Sequence, residues 1–141
     1  MGGMRSDTQT ITIEAPRANV FAFLADAANL PRWAPNFATA VRPDGDGWIV
    51  EQGGSEVRLR LEASAELGTV DLHVTPPDGR TRTAFGRVLP NAGGAEFLFT
   101  MFHSDSRSDA DIARQSAEVR EELRLVKTLC EPPDRPGDPG S

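Results

Sequence analysis

From Glu56 to Ser64 apolar and polar side chains alternate without a break, Val57, Leu59 and Leu61 against Arg58, Arg60 and Glu62. A two-residue period predicts a strand with one buried face and one wet face. The period recurs in Thr69–Thr75, where Val70, Leu72 and Val74 alternate with Asp71 and His73. It returns in Ala95–His103, where Phe97, Phe99 and Met101 share a side opposite Glu96, Leu98 and Thr100. Runs at Phe37–Arg42, Trp48–Glu51 and Arg80–Leu89 bring the count between Phe37 and His103 to six strands. Pro43–Gly47, Gln52–Ser55, Ala65–Gly68, Pro76–Gly79 and Pro90–Gly94 separate these runs. Their Asp-Gly and Gly-Gly pairs supply the positive φ that tight hairpins need. The pattern predicts an antiparallel meander, preceded by a seventh strand at Thr8–Glu14. Gly86, inside a strand, predicts a bulge or sharp bend.

After His103 the period lengthens. Ile112, Ser116, Val119, Leu123, Val126 and Cys130 recur at spacings of four and three, one stripe of a long helix over Ser108–Glu131. Ser108 suits the N-cap, Asp109 and Asp111 suit the positive end of the helix dipole, and Pro132-Pro133 stops the helix. Leu123, Val126 and Leu129 can seal a core, whereas the first half offers only Ile112, Ala113 and Ser116. A cavity is therefore expected between the first half of the helix and the concave side of the sheet. At the other end of the chain, Ala15-Pro16 opens a helix carrying Val20 and Phe21, and Leu30-Pro31-Arg32-Trp33 forms a second short helix.

Strand 1 with Ala15-Pro16, Leu30-Pro31-Arg32-Trp33, Arg87-Val88-Leu89-Pro90-Asn91 and the Glu122-Leu123 pair together resemble the START/Bet v 1-like superfamily, within it the bacterial polyketide cyclase/dehydrase-type proteins. The resemblance covers residues 8–131. It implies an α+β helix-grip fold: a seven-stranded curved antiparallel sheet wrapped on a long C-terminal helix, with two short helices after strand 1. It also implies a ligand cavity and a hydrophobic or aromatic small molecule within it. The bound molecule is either turned over, as by a polyketide cyclase or dehydratase, or simply carried; a protein-interaction module is the third reading. Residues 1–7 are expected to be a disordered start and residues 132–141 a disordered Pro/Gly-rich tail.

The chain of 141 residues is long enough for one domain, and its 38% hydrophobic content is that of a globular protein. The net charge of −6 repels phosphate backbones, and Arg58 and Arg60 share their face with Glu56 and Glu62, so nucleic acid is not an expected partner. No apolar run reaches the roughly 18–20 residues of a membrane span, and a cytoplasmic location is expected. A monomer and a homodimer remain equally open. Two histidines and the single Cys130 show no metal spacing, and no nucleotide motif is present, so neither metal nor cofactor is expected.

His103 continues the parity of Phe97, Phe99 and Met101, which would bring a proton-transfer group into the cavity; otherwise it caps the loop beyond the strand. Arg82 is the second catalytic candidate, able to hold a carboxylate or enolate oxygen, though the facing of Arg82 and Arg87 is open around Gly86. Trp33 and Phe37 fall where the superfamily's cavity rim forms. Leu59, Leu72, Phe85, Phe99 and Met101 from the sheet, with Ser116 and Val119 from the helix, are the remaining expected ligand contacts. His73, beside Asp71 in parity, is expected on the solvent face. No acidic residue falls on the apolar parity of a strand.

Overall fold

A computed structural model describes residues 4–133 of the chain. The seven strands are β1 (Met4–Ile13), β2 (Ala40–Asp44), β3 (Gly47–Gln52), β4 (Ser55–Ser64), β5 (Thr69–Thr75), β6 (Arg82–Asn91) and β7 (Gly94–Ser104). They form one antiparallel sheet in the order β1-β7-β6-β5-β4-β3-β2. Helices α1 (Arg17–Leu24) and α2 (Leu30–Trp33) follow β1, linked by a 3-10 turn, and α3 (Asp109–Cys130) closes the domain. This is the element order that the hydrophobic pattern predicts and the helix-grip arrangement that the resemblance implies.

β1 starts earlier than expected. Residues 4–7 are strand rather than disordered start, because Met4–Asp7 pair with Met101–Ser104 of β7. Arg5 also reaches Asp109 at the start of α3, Nη1 to Oδ1 at 2.8 Å. Of the expected tail, residues 134–141 lie outside the described residues.

Gly86 makes no bulge. Pairing runs through it without interruption, to Val70 on one side and Phe99 on the other. Its lack of a side chain serves a close approach: a Cβ there would sit 2.7 Å from the Val70 carbonyl oxygen and 3.4 Å from the Phe97 ring.

Ser108 caps α3 as expected, its Oγ accepting from the Asp111 amide at 3.1 Å. The core is densest under the C-terminal half of this helix. There Leu123 and Val126 belong to one buried cluster with Ile13, Val20, Leu24, Val88 and Phe97, all essentially without exposure. Burying each such side chain contributes about 1.5–3 kcal/mol. Leu129 is not among them; it stands 37% exposed, one position round the helix from the seal. Among the described residues no helix is long and apolar enough to cross a membrane.

Candidate functional site

The concave side of the sheet is not filled to its end. A cavity of about 310 Å³ lies between β5–β7, the segment after α2 and the N-terminal half of α3. Leu72, Val74, Phe99, Met101 and Val119 supply apolar wall, with Trp33 and Phe37 closing one side. Trp33 is held edge-on to Phe97 and Phe99, ring centroids 6.3 and 6.1 Å away. Such T-shaped contacts fix the indole plane.

The polar lining is concentrated at the α3 side. His103 is inward and only 3% exposed, since β7 runs to Ser104 and preserves its parity. Arg107, in the β7–α3 turn, places Nη1 2.9 Å from His103 Nδ1 and donates through the same nitrogen to Gln115 Oε1. A guanidinium only donates, so Nδ1 must accept, and the neutral ring carries its proton on Nε2. Burial lowers the His103 pKa, the Arg107 charge lowers it further, and Asp7 opposes both. His103 therefore holds its N–H at Nε2, buried and without a partner among the described residues.

The acid that strand parity did not reveal comes from the helix. Glu122 is 6% exposed and borders the cavity. Burial pushes its carboxyl up to about 7, with Glu118 adding to the rise and Asn36 opposing it. Its helical spacing was the available signal: Gln115, Val119, Glu122 and Val126 follow one another by four, three and four.

Three buried side-chain atoms lack a hydrogen-bond partner among the described residues: Trp33 Nε1, His103 Nε2 and Glu122 Oε2. All three residues border this one cavity. Buried polar groups are nearly always paired, so three residues with an orphan atom beside one space are unusual. Arg82 stands exposed at the rim, with inward parity, and Arg107 and Arg114 also border the space. Three guanidinium groups thus border a space that Glu118 and Glu122 also line.

The cavity brings together Trp33, Phe37, Leu72, Arg82, Phe99, Met101, His103 and Val119 of the expected residues. Three others do not border it. Leu59 is core between Trp48 and Val74. Phe85 has the outward parity of β6 and is 42% exposed, because Ala84, Gly86 and Val88 take the inner face. Ser116 turns toward β1, where its hydroxyl donates to Asp7 Oδ2. His73 does lie on the outer face, held by Glu62 at 3.0 Å and Thr83 at 2.9 Å.

Residues 4–131 match the family model described as polyketide cyclase / dehydrase and lipid transport. The chain belongs to this family. No curated protein matches the chain. Among solved structures, the Aha1 dimer from Colwellia psychrerythraea is 14% identical with a TM-score of 0.71, covering 90% of this chain and 96% of that one. The Zhui aromatase/cyclase from Streptomyces sp. R1128 is 17% identical with a TM-score of 0.66, over 91% and 94% of the two chains. Ara h 8.0201 is 14% identical with a TM-score of 0.62, over 91% and 98%. These likenesses establish the START/Bet v 1-like fold of this member of the family.

Proposed function

We propose that this family member binds a hydrophobic or aromatic small molecule in the 310 Å³ cavity, apolar body against the aromatic wall and oxygen-bearing end toward α3. The observation that carries the reading is that Trp33, His103 and Glu122, each with a buried side-chain atom lacking a partner among the described residues, border one space. The finer reading is a cyclase or dehydratase-like enzyme of the cytoplasm. Glu122, titrating near neutrality, is its proton-transfer group. As carboxylate it takes a proton from carbon next to a carbonyl, leaving an enolate oxygen. The N–H groups of Trp33 and His103 hold that oxygen, and the arginines at the mouth offset its charge. The enolate carbon then bonds to a second carbonyl carbon, whose oxygen receives the proton from Glu122. Loss of that hydroxyl as water, with a further proton from carbon, completes a dehydrating cyclisation.

One observation favours carriage without turnover. The lone pair of His103 is engaged by Arg107, so this histidine offers a donor and no free base. Native mass spectrometry of the purified protein, with titration by 1-anilinonaphthalene-8-sulfonate, tests binding itself. Retention of an aromatic or lipophilic mass and saturable dye binding are expected; an empty protein that ignores the dye overturns the reading. With the retained class offered as substrate, Glu122→Gln separates the two forms. Turnover falls about 10²–10⁴-fold for an enzyme at little change in affinity. A carrier shows only an affinity change.

A further inference from the structure

The ladder between β6 and β7 is incomplete. It runs from Asn91↔Gly94 to Phe85↔Thr100 and stops there. In the same register Ala84, Thr83 and Arg82 would face Met101, Phe102 and His103. Instead Arg82–Ala84 pair only with β5, and Met101–Ser104 pair only with β1. The sheet is forked, and residues of both prongs border the cavity.

A second observation shows where the fork leads. Thr83 and Phe102 have the outward parity of their strands, yet both border the cavity. The space therefore reaches the gap between the two prongs. On the convex side Phe85 and Phe102 are 42% and 47% exposed, their rings edge-to-face at 6.1 Å. Their surroundings are polar: Thr8 bonds Thr100, and Thr10 and Thr12 bond Glu96. The exposed aromatic pair stands beside this opening, on a face that also carries Arg87, Leu98, Thr100 and Glu96.

We propose that the fork between β6 and β7 is the ligand portal, with the Phe85–Phe102 pair as its gate. The proposal rests on the cavity-binding reading above. Passage through a paired stretch of sheet would require breaking several ladder hydrogen bonds at once. At the fork no such bond stands between the prongs, and rotation of exposed aromatic side chains opens the way. An apolar molecule arriving on the convex face meets two ring surfaces before it meets the aromatic wall inside.

Stopped-flow mixing with 1-anilinonaphthalene-8-sulfonate tests the route through Phe85, which touches the gate and not the cavity. Phe85→Ala is expected to raise the association and dissociation rates together, by about tenfold, the low end of the range over which association rates vary at one site. Kd stays within about twofold, because the bound state is unchanged. Phe85→Trp slows both rates. Unchanged rates in both variants overturn the proposal, as does a Phe37→Ala variant that alone speeds entry, which would place the route between α2 and α3. If the dye does not bind at all, the cavity-binding reading fails, and the route is read without ligand. Acrylamide quenching of Trp33 in a Trp48→Phe background then increases on Phe85→Ala if the fork is the portal, and an unchanged quenching constant overturns it.

Discussion

The two halves of α3 cover one sheet and treat it differently. From Leu123 onward the helix adds Leu123 and Val126 to one buried cluster with Ile13, Val20, Val88 and Phe97, and the interior is closed. From Gln115 to Glu122 the same face carries Gln115, Glu118 and Glu122 around an open space, with Val119 as its apolar exception. The difference does not come from smaller side chains leaving room. Ser116, the small residue on that stretch, is spent on Asp7 of β1. On the open stretch long polar side chains occupy positions where the other half has branched apolar ones. The sealed end supplies stability, whereas the open end leaves polar groups unpaired among the described residues.

The sharpest way to break the contrast is to empty the sealed end. Leu123→Ala is expected to cost about 2–5 kcal/mol in urea unfolding, the usual range for a buried leucine. A cost below about 1 kcal/mol, typical of surface sites, would mean that the two halves are equally loose.

The open end responds to pH in a defined direction. Glu122 has a folded pKa of about 7 against 4.5 for the ordinary side chain, so the folded protein holds a proton that the unfolded chain releases. Its favourable contribution is complete below about pH 4.5 and is lost as pH rises through about 7. The loss amounts to at most about 3 kcal/mol. Glu122→Gln should remove this slope and leave the variant more stable than the parent at pH 8. Equal slopes in the two proteins would show that the carboxyl reaches water.

The smallest effect belongs to Ser116→Ala. Losing the bond to Asp7 should cost about 0.5–1.5 kcal/mol by thermal unfolding, with dye affinity unchanged. A shift in dye affinity with stability intact would put Ser116 back at the cavity.

Much of this was legible in the chain because period decides facing. The two-residue alternation in Glu56–Ser64, Thr69–Thr75 and Ala95–His103 located β4, β5 and β7 to within a residue of their ends. The same parity turned His103 inward. Phe85 was misread because an aromatic residue on a strand bordering the cavity looks like wall; Gly86, read as a bend, is in fact an in-register inward position. Glu122 escaped because a helical stripe is broad. Leu123 and Glu122 are neighbours round the helix, and only the placement of the sheet says which flank of the stripe faces the space.

By itself the sequence determined the order of elements, the N-cap of α3 and the sorting of most side chains into inner and outer faces. All of these follow from local steric preferences and from the periods at which apolar groups recur. Tertiary structure alone decided what those faces meet. It set Arg107 against His103 and so placed the imidazole proton, buried Glu122 far enough to bring its pKa to about 7, and ended the β6–β7 ladder at Phe85↔Thr100. Each depends on distances between segments remote in the chain, which packing sets and residue spacing does not encode.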